Sequence, residues 1–214
     1  MIKKTIFLGV SGFALLATPA MARDGQVYAG VEAGYIHPND IQFDINDDEN
    51  DQILVNNEDS YEVGLLLGYD FGAFRLEGEV AATEFDVDTV VSDFTPVPTN
   101  TLPGATGTFE DVSGGIDVVS FMLNGMLDFG NDDGLSFSAG GGLGYAVFDG
   151  NFSVDESGPG VVVDKDGAFA YQGIAQVRYA LSRSIDVGLK YKYMVIPELE
   201  LTSTQGLDYS DDYE

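Results

Sequence analysis

Cysteine is missing from all 214 residues, which excludes disulfide staples and thiol chemistry. Tryptophan is absent, and His37 is the single histidine. Basic side chains are scarce: nine Lys and Arg stand against 36 Asp and Glu, for a formal charge of −27. A surface of that sign repels nucleic acid and excludes a nucleic-acid-binding role. After residue 22 no apolar run reaches 18 residues, so no transmembrane helix is expected there. A β-barrel is not excluded, because its signal per strand is much weaker. What the chain does have is 44% hydrophobic residues, with 14 Phe and 11 Tyr. Disordered chains lack such a content, so the high charge does not mean disorder here.

The length suits one domain. The N-terminus is read apart from it. "MIKK" is basic, "TIFLGVSGFALLATPA" is apolar and small, and Ala20–Ala22 is an A-x-A cleavage site. Residues 1–22 are therefore expected to be a secretory signal peptide, and 23–214 the exported domain. Removing Lys3 and Lys4 from the nine basic residues leaves seven against 36 acids, a charge of −29.

The rest of the chain repeats one pattern. Seven segments of about ten residues alternate apolar with polar or small positions, the period of a two-faced strand. In the first, Val27, Ala29, Val31, Ala33 and Tyr35 oppose Tyr28, Gly30, Glu32 and Gly34. In the second, Tyr61, Val63, Leu65, Leu67 and Tyr69 oppose Glu62, Gly64, Gly68 and Asp70. In the third, Phe74, Leu76, Gly78, Val80 and Ala82 oppose Arg75, Glu77, Glu79 and Thr83. The fourth to seventh fall near 119–129, 135–148, 168–181 and 185–194. Their polar faces carry Asp128, Arg178, Asp186, Lys190 and Lys192.

Connections alternate strictly. "FGA", "GNDDG" and "SRS" are tight hairpins, whereas 38–60, 84–115 and 149–167 are long and rich in Pro, Gly, Asn and Asp. Loops of that length are unusual in a compact soluble domain, but outer-membrane barrels have short periplasmic turns and long extracellular loops. The three long connections and the tail from Pro197 hold 25 of the 36 acids and one base, Lys165. Aromatics form two belts: Tyr35, Tyr61, Phe121, Tyr145, Tyr171 and Tyr193 at the loop end, Tyr69, Phe74, Phe129, Phe137 and Tyr179 at the turn end. Two bilayer interfaces select that placement. After Ala82 the pattern slips: Phe85 and Val87 are apolar, Glu84, Asp86 and Asp88 are not. Either a bulge intervenes or the strand has left the bilayer.

Segments 26–36, 120–148 and 170–194 resemble the OmpA-type eight-stranded outer-membrane barrels. The resemblance implies an all-β, antiparallel up-and-down transmembrane barrel in the outer membrane of a Gram-negative bacterium, reached by Sec-type export. Family members are mostly structural, and some carry a periplasmic peptidoglycan-binding domain. The family has an eighth strand ending in an aromatic residue, where this chain ends "LDYSDDYE". The eighth strand is therefore expected to be missing, with the chain cut in the fourth long loop.

Candidate chemistry is thin. His37 precedes Pro38 at a strand end, and a His-centred catalytic cluster is not visible; no enzyme activity and no cofactor are expected. "DINDDENDQ" (44–52) begins like a calcium loop, but Glu49 stands where Gly belongs and Val55 where the final Glu belongs. "NFS" (151–153) matches a glycosylation sequon by accident of composition. Gly140, Gly142 and Gly144 do not form a dinucleotide fingerprint, because Tyr145 stands at the third glycine position and the strand continues. They are expected to leave lumen space for long side chains. The lumen set is Glu32, Glu62, Arg75, Glu77, Glu79, Asp128, Arg178, Lys190 and Lys192. Buried charges must pair, so a salt-bridge plug is expected, with a gated ion path through the same residues as the alternative. The expected role is support of envelope integrity. An adhesin or a lipid-modifying enzyme is a weaker reading. Expected partners are outer-membrane lipid and lipopolysaccharide, and divalent cations at the acidic loops, with the chain a monomer.

Overall fold

The computed structural model describes residues 6–14, 25–38, 41–45, 48–97, 99, 104–110, 112–130, 134–154, 162–197, 200–202 and 208–210. Among them the regular structure is all strand: β1 (Ile6–Ala14), β2 (Gln26–Pro38), β3 (Ile41–Ile45), β4 (Asp48–Asn57), β5 (Ser60–Asp70), β6 (Phe74–Val97), β7 (Ala105–Phe109), β8 (Ser113–Gly130), β9 (Leu135–Ser153), β10 (Val162–Ala180), β11 (Asp186–Ile196), β12 (Glu200–Thr202) and β13 (Asp208–Ser210). All seven strands read from the alternation are present, as β2, β5, β6, β8, β9, β10 and β11.

Their neighbours run β2–β5–β6–β8–β9–β10–β11, each pair antiparallel. The ring is closed by β1, which pairs with β11 on one side and β2 on the other. No strand was expected before Gln26. The physical reason for the difference is that an open seam leaves two rows of backbone donors and acceptors unpaired, and an extended segment placed there satisfies them. The closure is uneven. Nine residues of β1 pair with β11, but only Leu8–Ser11 pair with β2.

Within the membrane half the alternation places apolar side chains outward. Leu65 is 64% exposed on the bare protein and Leu123 63%, as lipid-facing positions must be. The belts keep a constant height. Tyr61 and Tyr69, Phe121 and Phe129, Phe137 and Tyr145, Tyr171 and Tyr179 are each eight residues apart on their strands, and all eight side chains are exposed. At about 3.3 Å per residue and a tilt of about 40°, eight residues rise roughly 20 Å, close to the apolar band of such barrels. The turn-end belt packs ring on ring, with Phe71 against Tyr69 at 4.5 Å and Phe74 at 6.1 Å between centroids.

The apparent slip after Ala82 is not a slip of the backbone. Burial alternates without a break from Arg75 to Val87, so Thr83, Phe85 and Val87 point inward and Glu84, Asp86 and Asp88 outward. The hydropathy inverts because the solvent does. Below Ala82 the wall's exterior meets lipid; above it, water. A register shift does occur farther on, where Asn56 pairs with Thr89 and Asn57 with Val87.

The inversion recurs around the ring. Ile36, Ile116, Val118, Ala146, Phe148, Phe152, Ala168, Ala170, Met194 and Ile196 point inward with Phe85 and Val87 and form an apolar core. Burying each large member is worth about 1.5–3 kcal/mol. The long connections read as loops are therefore partly wall. β6 continues to Val97, β8 begins at Ser113, β9 extends to Ser153 and β10 begins at Val162. β4 and β7 add to the extended β6, and β3 to β4. The described residues of the acid run 44–52 thus lie in β3 and β4, with Asp44 opposite Gln52, while 46–47 lie outside the described residues.

Candidate functional site

The lumen of the membrane half is where buried charge collects, and the register of the strands decides which charges meet. Lys190 and Lys192 alternate inward on β11, Arg178 and Gln176 on β10, Arg75, Glu77 and Glu79 on β6, Glu62 on β5, and Glu32 and Tyr28 on β2. Eight of the nine charged residues expected in the lumen are buried, and the Asp128 side chain is 11% exposed.

They fall into two layers. In the upper layer the Lys192 ammonium contacts three carboxylates: Glu32 Oε1 at 3.0 Å, Glu79 Oε1 at 2.8 Å and Glu62 Oε1. Lys190 Nζ lies 2.7 Å from Glu32 Oε2, 3.5 Å from Glu79 Oε2 and 3.9 Å from Glu77 Oε2. One oxygen from each of Glu32, Glu62 and Glu79 falls within 4.8 Å of the others, a spacing that a divalent ion could use. Lys192 sits among them, so a tethered ammonium takes the position such an ion would need.

The lower layer is built on Arg75, which is fully buried. Its Nε faces Asp128 Oδ2 at 2.6 Å, Nη1 donates to Glu77 Oε1 at 3.2 Å, and Nη2 donates to Ser138 Oγ at 2.9 Å and Gln176 Oε1 at 3.3 Å. The guanidinium also lies 5.6 Å from the Tyr28 ring centroid, a cation–π distance. Tyr28 donates to Glu77 Oε1 at 2.5 Å and Ser138 to Asp128 Oδ1 at 2.5 Å. Arg178 reaches Asp186 at 3.4 Å and Asp128 at 3.8 Å. A guanidinium offers five donors in a fixed fork, which suits a node with so many acceptors.

Neutral partners were not singled out from the sequence. Gln172 Nε2 donates to Asn124 Oδ1 at 2.8 Å, and Asn124 Nδ2 donates to Glu79 Oε2 at 3.0 Å. Tyr28, Asn124, Ser138, Gln172 and Gln176 all lie on the polar faces of the alternation, as does the charged Asp186, so face membership was the signal that could have found them. Among the described residues the lumen holds seven carboxylates (Glu32, Glu62, Asp70, Glu77, Glu79, Asp128, Asp186) and four bases (Arg75, Arg178, Lys190, Lys192).

The glycine run has a different task from the one expected. A Cβ at Gly142 would strike Asn124 Oδ1, and one at Gly144 would strike Met122 Sδ and the Phe121 carbonyl. A Cβ at Gly140 would meet the Gly125 carbonyl of β8. The missing side chains admit Asn124, Met122 and the β8 backbone, and not the long charged side chains. Of those, Arg75 approaches this wall at Ser138. Glu32 gains its room elsewhere, from Gly64 on the neighbouring strand.

His37 is less isolated than the sequence suggested. Its Nδ1 lies 2.5 Å from Asp59 Oδ1, and Tyr35 donates its hydroxyl to Asp59 Oδ2. Those hydrogen bonds, Tyr35 first and His37 second, hold the Asp59 carboxyl below the usual carboxylate range. The group stays ionised further into acid than a free aspartate would. Ser60, next to Asp59, is not placed as a nucleophile: it is buried on the inward face and donates to the Glu84 carbonyl. The sequon at 151–153 lies in the wall strand β9, with Phe152 in the apolar core.

A family model described as "Outer membrane protein beta-barrel domain" matches residues 5–212. No curated protein and no solved structure matches the chain.

Proposed function

The chain belongs to the outer membrane protein β-barrel domain family, a group of bacterial outer-membrane barrels, and from that premise we propose that it serves as a structural, non-conducting barrel supporting envelope integrity. The observation that carries this reading is the doubly filled interior. In the membrane half, ion pairs and hydrogen bonds cross the lumen between β2, β5, β6, β8, β9, β10 and β11. Above it the side chains of these strands other than β5 form an apolar core. A water-filled path would have to break buried charge pairs, each costing several kcal/mol when one partner is left alone, and also open an apolar layer above them.

A gated ion path is the second reading. It is favoured by one observation: carboxylates outnumber bases seven to four among the described lumen residues. That excess would suit a cation. Planar-bilayer recording of the refolded protein separates the two. No unit conductance is expected at neutral pH. Stable cation-selective steps, altered by Arg75→Ala or Lys190→Ala, would overturn the structural reading.

The acidic exterior above the belt belongs to the same proposal. Glu84, Asp117 and Asp149 are directly opposed across β6, β8 and β9. Like charges so placed are unfavourable, and divalent cations shared with lipopolysaccharide phosphates would relieve them. The barrel acts as a monomer in this reading, with the lipid as its neighbour. Residues 1–22 act as a Sec-type leader in the same proposal, and its cleavage would remove β1 (Ile6–Ala14) from between β2 and β11 and open the ring there. N-terminal sequencing of protein extracted from outer membranes is expected to start at Arg23; Met1 or Ile2 would reject the leader.

A further inference from the structure

We propose that the extracellular lip at Tyr35, His37 and Asp59 is a binding site for a hard, highly charged metal ion, ferric iron in particular. Three donor types converge there: a phenol, an imidazole and a carboxylate. His37 Nδ1 lies 2.5 Å from Asp59 Oδ1, and the Tyr35 hydroxyl donates to Asp59 Oδ2. Ligands on one octahedral ion with bonds of about 2.0–2.1 Å stand about 2.9 Å apart. Asp59 therefore holds a phenol on one carboxylate oxygen and an imidazole on the other, and a metal there would replace the hydrogen-bonded protons.

The lip is held from several sides. Tyr35 and His37 lie on one strand, β2, and Tyr35 pairs directly with Tyr61 on β5. The Tyr35 and Tyr61 rings meet edge to face at 5.9 Å, which puts a second phenol on the same lip. Asp59 lies in the two-residue link between β4 and β5, and the Glu58 amide of that link donates to the Asp86 carbonyl of β6 at 3.0 Å. Preorganised donors lose little freedom on binding. The site is also open: His37 has 76% of its side chain exposed and Asp59 42%.

The donor set selects the ion. Carboxylate and phenolate oxygens are hard ligands, and an imidazole suits iron as well as zinc or copper. A chain of net charge −27 concentrates trivalent cations at its surface more than divalent ones. Binding displaces the Tyr35 hydroxyl proton, and any proton on His37 Nδ1, to solvent, so that the phenolate oxygen and Nδ1 coordinate. The iron stays ferric, so no oxidant or reductant is required.

Ferric iron bound by a phenolate absorbs visible light by charge transfer, which gives a direct readout. The refolded full chain in detergent micelles would be titrated with ferric nitrilotriacetate at neutral pH. A saturable visible band is expected. Tyr35→Phe should abolish it, and His37→Gln or Asp59→Asn should weaken binding about tenfold or more. Tyr171→Phe, on a strand that does not form this lip, should leave the band unchanged. Heat-modifiable gel mobility identifies variants that remain folded, and the altered side chains are surface groups. No band in the folded protein, an undiminished band in Tyr35→Phe, or zinc or copper binding without the ferric band would each overturn the assignment.

Discussion

The two halves of this barrel use the same strands with opposite chemistry. Below Ala82 the wall is apolar outside and charged inside; from Thr83 upward it becomes polar outside and apolar inside. The backbone alternation of β6 does not change across the boundary, since burial alternates unbroken from Arg75 to Val87. The comparison teaches that the hydropathy of a strand face reports its solvent and not its direction. Where lipid surrounds the wall, the costly groups are hidden in the lumen and must pair there. Where water surrounds it, the lumen is free to become an ordinary apolar core.

The two interiors should fail differently. Lys192→Met would leave Glu32 and Glu79 with Lys190 as their near cation and would take from Glu62 its ion-pair partner. Breaking one side of buried ion pairs costs roughly 3–5 kcal/mol, expected as a lowered urea midpoint by far-UV circular dichroism in micelles. Calcium should restore part of the loss, because the freed carboxylate oxygens lie within 4.8 Å of one another. Phe148→Ala in the upper core should cost a comparable amount, about 3–5 kcal/mol by the same measurement, but with no response to calcium. If both variants responded alike, the division into two interiors would be wrong.

The exteriors give smaller effects of opposite kinds. Leu65→Arg places a charge on the lipid face and should cost roughly 2–4 kcal/mol, read as reduced folding into bilayers. Asp117→Lys, outward on β8 above the boundary, should be neutral or stabilising by up to about 1 kcal/mol, because it replaces the middle of the opposed Glu84, Asp117 and Asp149. An equal loss in both would place the membrane boundary elsewhere.

Much of the fold was legible. The seven alternating segments, their hairpin ends and both aromatic belts follow from period and composition, and the strands appear where the alternation put them. The extensions were harder to read. Phe85 and Val87 broke the pattern only for a reader who held the solvent constant, and the long connections hid strand because their exteriors are acidic. In the candidate site, the charges on Lys190, Lys192, Arg75 and the four glutamates were readable from face membership. Their partners were not, since Asn124, Gln172 and Ser138 carry no charge to mark them. His37 and Asp59 are 22 residues apart and meet only because Tyr35 pairs with Tyr61.

By itself the amino-acid sequence determined the class of structure, because a period of two with one apolar face is a local property that any segment either has or lacks. It also determined which side chains share a face. Only the tertiary structure decided which of them touch. Register and ring closure bring Lys192 of β11 to Glu32, Glu62 and Glu79 on three other strands. They also put β1 between β2 and β11. Such contacts depend on how every strand is offset from the next around the ring, and no single segment carries that information.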